Sequence, residues 1–388
     1  MKTSIKNQLL AVLILLGVTG PAMAELGDYG FWRTLGNLVS PPAADNPVTA
    51  AQRQGDYPLL ANPPGFNDGF SPGNYYAWQT IPLAPETGAV CGNGSEYKFF
   101  VNRVPNTSNT IIYLEGGGAC WDYESCSGQT GIRGARNPDG IPDDYMSLTN
   151  PSASLVSPFV VRLNPLTSVK TQNWNMVYIP YCTGDVYSGD RVAVYEDPEG
   201  EAEPLIWHHN GLRNTRAAIS WVKDNLQRPK QLLTTGCSAG GLGSLTNYHP
   251  TRRDMEPNRG YMINDSGPAF SAPTGSDPDV YPSVLLQSFI RNAWGLDQSN
   301  GPLEYLSDGL PLMNLNDLGS LYTALSAELP NDRMGHTHFW QDLNYSSYSY
   351  ERFYPEIENA PDQATKEALI HERWYTDTER LKGTLSNL

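Results

Sequence analysis

Gly236-Cys237-Ser238-Ala239-Gly240 fits the pattern G-x-S-x-G and closes an apolar run that begins at Leu232. A strand that feeds a glycine-flanked serine opening a helix is the setting in which that serine becomes a nucleophile. The glycines permit the sharp turn, and the hydroxyl then projects above the sheet. The amide of Ala239 would sit at the helix N-terminus, where partial positive charge faces a developing oxyanion. An ordinary glycine-rich strand-to-helix turn has the same letters, so the pattern needs a second piece. That piece lies upstream, where Gly116-Gly117-Gly118 follows the buried-strand signature Thr110-Ile-Ile-Tyr-Leu114. Glycines let a backbone approach a tetrahedral centre without Cβ clashes, which makes the amides of Gly117 and Gly118 candidates for the other oxyanion-hole donors. Alone, three glycines read as a tight turn. Beside the serine they point to acyl transfer through a covalent serine ester.

These groups are useful only if strand ends hold them side by side. From about Tyr97 the chain reads strand, loop, helix, repeated. Met176–Ile179, Leu232–Gly236, Tyr261–Ile263 and Met334–Trp340 read as strands, and Leu212–Leu226 and Ala364–Leu381 as helices. Strands alternating with helices predict an α/β fold with a mostly parallel sheet covered on both faces. The Pro-rich stretches at 136–165 and 268–330 read as insertions above that sheet, able to form a cap. Residues 25–75 show no sustained period and read as an extended lead-in that wraps the core. We see no internal repeat and no linker that demands a domain boundary.

Lys2 and Lys6, an apolar stretch from Leu9 to Val18, and Ala22-Met23-Ala24 have the form of a secretory signal peptide. We expect cleavage after Ala24, a protein that is secreted or periplasmic, and a mature chain of one domain over 25–388. Neither this stretch nor any later one offers the roughly 20 apolar residues of a membrane span. Export makes disulfides the natural reading of Cys91, Cys120, Cys126, Cys182 and Cys237. Cys120 and Cys126 are the best pair, and the odd count leaves a thiol free, with Cys237 buried in the turn. No C-x-x-C occurs, so the cysteine spacing gives zinc no support. A balance of 26 basic against 41 acidic residues, net −15, argues against nucleic acid as a partner. At 17% charged and 39% hydrophobic, 388 residues are a compact globular chain rather than a disordered one.

Four motifs in order, Leu114-Glu-Gly-Gly-Gly-Ala-Cys-Trp121, Ile179-Pro-Tyr-Cys-Thr-Gly-Asp185, Gly236-Cys-Ser-Ala-Gly-Gly241 and Asp265-Ser-Gly267, resemble the pectin acetylesterase–Notum family. The resemblance implies an α/β-hydrolase fold and a Ser-His-Asp triad that removes O-acyl groups without metal or cofactor. Plant members deacetylate pectin and Notum removes a fatty acyl group from a signalling protein, so the substrate does not carry over. The expected reading is a monomeric serine esterase acting on an acylated carbohydrate or small ester. The alternatives are a non-catalytic binding protein, or a lipase or peptidase on the same scaffold. Chain order after the serine is acid, then histidine. Asp342, beyond the strand around Gly335–Gln341, stands where the family's acid is expected. Asp265 lies one strand early and matches a pocket-side motif, and a plain helix cap is the other reading of Asp342. Trp121 and Asp265 are the candidate substrate-pocket residues.

The base is harder to place. Of His208, His209, His249, His336, His338 and His371, only His371 follows Asp342, and it sits inside a helical run. His336 and His338 share one strand face, which suits packing or hydrogen bonding better than two-thirds of a metal site. His208-His209 precedes a helix expected near Asn214 and reads as pocket-side or as a surface loop. His249 reads as the end of the serine's helix. We therefore expect the catalytic histidine beyond residue 388, with the domain's last strand. Gly383 either caps the final helix, or the helical spacing runs on through Leu381, Leu385 and Leu388.

Overall fold

The computed structural model describes residues 74–128, 135–146, 157–161 and 169–388. The expected leader, nearly all of the lead-in at 25–75 and part of the 136–165 insertion lie outside the described residues. Among the described residues nine strands follow in chain order: β1 (Trp78–Pro82), β2 (Lys98–Asn102), β3 (Thr110–Leu114), β4 (Asn175–Ile179), β5 (Arg191–Tyr195), β6 (Leu205–His209), β7 (Gln231–Cys237), β8 (Arg259–Asp265) and β9 (Arg333–Thr337). Seven form one sheet in the order β1-β2-β4-β3-β7-β8-β9, and β5 pairs with β6 in a separate antiparallel ribbon. From β4 to β9 all pairings in the sheet are parallel, while β1 and β2 join antiparallel at one edge. Every residue of β3 and β4 is buried. Their unbroken Ile, Val, Met and Tyr runs are what a parallel strand covered on both faces requires.

The helices used below are α1 (Tyr123–Ser127), α2 (Gly211–Asn225), α3 (Ala239–Thr246), α4 (Tyr248–Met255), α5 (Val284–Ala293), α6 (Leu321–Glu328), α7 (Leu343–Tyr350) and α8 (Gln363–Leu385). They flank the mostly parallel sheet, and Trp221 of α2 meets Phe99 of β2 edge to face at 5.4 Å. No helix among the described residues is long and apolar enough to cross a membrane. The expected Cys120–Cys126 disulfide is present, and Cys237 is in neither disulfide and is half-buried rather than buried as expected. Cys91 pairs with Cys182, 91 residues away, a link that local spacing gave no means to find. A cross-link of that span stabilises typically by 2–4 kcal/mol by shrinking the unfolded ensemble.

Three expectations need correction. His208 and His209 are fully buried on β6 rather than in a surface loop, because β6 pairs with β5 and is tied to the chain before β2 through His208 N, which donates to Gly92 O at 2.7 Å. His249 belongs to α4, since the serine's helix stops at Thr246 and Asn247 joins the two. The last strand ends at Thr337 and not Trp340. Phe339 is 73% exposed and Trp340 43%, so aromatic residues of high strand propensity stand here outside the sheet.

Helix α8 buries Ile370, Trp374, Asp377 and Leu381, one helical stripe that includes a carboxylate. Asp377 Oδ2 accepts from Ser283 N and Tyr350 O–H, both at 2.9 Å, which ties α8 to α7 and to the start of α5. Burial pushes its pKa up from 3.8 to about 6, against the pull of those hydrogen bonds. A carboxyl whose folded pKa is raised stabilises the fold below its unfolded pKa and loses that contribution as pH climbs to the folded one. Asp377→Asn is therefore expected to gain stability relative to the parent between pH 4 and 6, by roughly 3 kcal/mol. Urea unfolding at the two pH values measures it; a difference that stays flat would contradict the assignment.

Candidate active site

Register brings the chemistry to one edge of the sheet. Leu114 of β3 lies beside Gly236 of β7, Cys237 beside Asp265 of β8, and Asp265 beside Thr337 of β9. The glycine loop, Ser238 and Asp265 thus leave neighbouring strands at their carboxyl ends, the place where open parallel sheets bind ligands.

Ser238 sits between β7 and α3 with φ 54° and ψ −120°, a backbone conformation that a side chain adopts only under constraint. The constraint is visible. Ser238 N donates to Asp265 O at 2.8 Å, and Leu242 N donates to Ser238 O at 3.1 Å. Helix α3 lies so close to the ends of β3 and β8 that a Cβ on Gly240 would overlap Leu114 O, and one on Gly267 would overlap Leu242 N and Ser238 O. Both obstacles are backbone and cannot rotate away. Gly240→Ala is expected to cost at least 3 kcal/mol, beyond the usual range for overpacking because no side chain can yield. A thermal melt reads this, and an unchanged midpoint would show that α3 moves freely.

Three backbone donors face no protein acceptor among the described residues: the amides of Gly117, Gly118 and Ala239. Gly117 and Ala239 are buried, where an unbonded N–H is rare and costly unless something else binds it. Gly118 has φ 72°, and Gly117 O accepts from Arg136 N at 2.8 Å. Below the loop, Tyr187 O–H donates to Glu115 O at 2.7 Å and to Ile179 O at 3.0 Å, which fastens the loop to β4. Burial raises the Tyr187 pKa well above 10, so the phenol stays a donor.

Asp342 is the N-cap of α7, its Oδ1 accepting from Tyr345 N at 2.6 Å. Asp265 is exposed and takes hydrogen bonds from the hydroxyls of Ser266 (3.0 Å) and Thr337 (3.3 Å). Trp121 is buried in a cluster with Phe289, Tyr348 and Phe353 at 6.0–6.2 Å.

No imidazole hydrogen-bonds the Ser238 hydroxyl among the described residues, which include all six histidines. His336 Nε2 meets His338 Nδ1 at 2.6 Å, and the chain continues to Tyr322 O–H at one end and Thr378 Oγ1 at the other. Burial, then the neighbouring His338, pushes the His336 pKa down to about 3. The pair is a neutral hydrogen-bonded link between β9 and α8. His209 spans Thr183 O and Tyr195 O–H. His371 lies on α8 with its ring 6.4 Å from that of Tyr375. Cys120, Cys126 and His209 are the one group among the described residues whose ligand atoms lie close enough for a metal, and its two sulfurs are joined to each other.

Sequence reasoning missed an apolar cavity of about 70 Å³ between α3 and the 268–330 insertion, lined by Leu242, Thr246, Phe270, Gln287, Ile290 and Tyr345. Its signal was the insertion itself, whose apolar residues face the serine's helix. The buried set around Glu115, with Arg136 and Tyr145 from the earlier insertion, was missed as well.

The family model Pectinacetylesterase matches residues 73–276. Palmitoleoyl-protein carboxylesterase NOTUM of Drosophila melanogaster is 27% identical over 56% of this chain and 31% of its own length. Pectin acetylesterase 4 of Arabidopsis thaliana is 30% identical over 42% of this chain and 36% of its own. The chain spans about a third of the length of these two relatives. A solved structure of the Wnt deacylase Notum from Drosophila aligns with 76% of this chain and 79% of that one, at 21% identity and a TM-score of 0.49.

Proposed function

Because this chain belongs to the Pectinacetylesterase family, a family of carboxylic-ester hydrolases, we propose that it is an exported serine esterase that removes O-acyl groups, acetyl first among them, from a carbohydrate or similar alcohol. The observation that carries the reading is a strained, partly exposed Ser238 beside three backbone amides without acceptors. Ser238 Oγ attacks the acyl carbon and gives its proton to a histidine. The amides of Gly117, Gly118 and Ala239 hold the oxyanion of the tetrahedral intermediate. Collapse expels the alcohol, which takes the proton back. Water then attacks the acyl-enzyme by the same route and releases the acid. Asp342 orients the imidazole, and Trp121 and Asp265 lie toward the substrate. The base must come within about 3 Å of Ser238 Oγ, and His209, His336 and His338 are held by other partners. Two disulfides support export, since such bonds persist in oxidising compartments.

The placement of those histidines favours a second reading, a binding protein that keeps the scaffold without turnover. Hydrolysis of p-nitrophenyl acetate by the full chain and by Ser238→Ala separates the two. Turnover that disappears with the hydroxyl supports the esterase. A folded parent that releases no p-nitrophenol supports the binder.

A further inference from the structure

Three consecutive glycines have no side chains to hold them, yet an oxyanion hole works only if its donors are aimed beforehand. We infer that the buried Glu115–Arg136 pair is the device that aims the Gly117 and Gly118 amides; the inference rests on the esterase reading above. Glu115 is fully buried directly before the loop, and Arg136 Nε lies 3.1 Å from its Oε1. The same carboxylate oxygen accepts from Tyr178 O–H at 2.5 Å and Tyr145 O–H at 2.7 Å, while Oε2 accepts from Tyr181 N at 3.0 Å. Arg136 Nε also donates to Tyr145 O–H at 2.7 Å, closing a ring of three groups.

Both walls of the slot that holds Gly117 hang from this carboxylate. A Cβ on Gly117 would meet Arg136 Cβ on one side and the Tyr181 ring on the other. Arg136 is tied to Glu115 through its guanidinium, Tyr181 through its amide. Asn137 adds a strut, donating to Tyr145 O–H at 3.0 Å and Tyr181 O at 2.8 Å. The aim follows from peptide planarity. Arg136 N takes the carbonyl of Gly117, and in a trans peptide the N–H of Gly118 then points the opposite way. Fixing Arg136 fixes the direction of that donor. Arg136 is thus a positioning residue, which touches no substrate and sets the geometry of the groups that do.

The test is the kinetics of the full chain with p-nitrophenyl acetate, at a temperature where circular dichroism shows each variant folded. Arg136→Met is expected to lower kcat about a hundredfold, the scale of one lost oxyanion donor, with KM unchanged within twofold. Arg136→Lys keeps the charge opposite Glu115 and is expected to recover part of the loss. A purely structural ion pair would lower the melting point and leave kcat of the folded enzyme alone, which overturns the inference. If Arg136→Met fails to fold, Tyr145→Phe, which deletes only the hydroxyl that joins the two, takes its place. A several-fold fall in kcat at constant KM supports the inference, and an unchanged kcat overturns it. Ser238-independent hydrolysis, or none in the parent, overturns the esterase reading and this inference with it. An unchanged Arg136 variant in a Ser238-dependent enzyme overturns this inference alone.

Discussion

Ser238→Ala is expected to lower p-nitrophenyl acetate hydrolysis by on the order of 10⁶ in kcat for an intact triad, leaving only the roughly 10³–10⁴ over water that the oxyanion hole and binding supply. The fold should be indifferent to the change. The serine hydroxyl supplies none of the bonds that shape the turn: Ser238 donates through its backbone N to Asp265 O and accepts through its backbone O from Leu242 N. Alanine must adopt the same φ of 54°, at little extra cost because the constraint is already imposed by β8 and α3. A large kinetic effect with an unchanged melting point is therefore the signature to look for. A variant that keeps even a tenth of the parent's rate would show the ester being cleaved elsewhere.

The parts of this site that could be read in the sequence are those whose physical requirement is contiguous. An elbow needs its glycines within five residues, and the loop at 116–118 needs them in a row, so both were visible beside strands that betray themselves by apolar runs. The parts that could not be read are made by chain segments that meet only after folding. Cys91 and Cys182 carry no local sign of each other. Arg136 stands in a Pro-rich stretch that reads as an insertion, and nothing in its neighbours predicts that it will close on Glu115. His209 of β6 was hidden for a related reason: imidazole is as acceptable in a loop as in a core that provides Thr183 O and Tyr195 O–H as partners. Helix α8 shows propensity yielding to packing. Gly383 did not stop it, and the helix ran to Leu385, a glycine in a helix costing only about 1 kcal/mol.

The acid is where a single substitution separates two readings that sequence left open. Asp342 caps α7 by accepting from Tyr345 N, and the same carboxylate is the proposed partner of the catalytic imidazole. Asparagine caps a helix about as well as aspartate, so Asp342→Asn preserves the structural role to within a few tenths of a kcal/mol. It does not preserve the catalytic one. Without the carboxylate the imidazole is offered the wrong tautomer and its protonated form is no longer stabilised, a loss of about 10⁴ in kcat. The expected result is a variant that melts with the parent and turns over p-nitrophenyl acetate about 10⁴-fold more slowly. Asp342→Ala would then add roughly 1 kcal/mol of instability to the same kinetic loss, from the missing cap. Asp265→Asn is the comparison. Its side chain meets two hydroxyls that an amide oxygen serves equally well, and its contribution to the elbow is a backbone carbonyl that no substitution removes. Its rate should stay within a few-fold of the parent. If the two variants exchange behaviour, the acid belongs to β8 and the Asp342 carboxylate is only a cap.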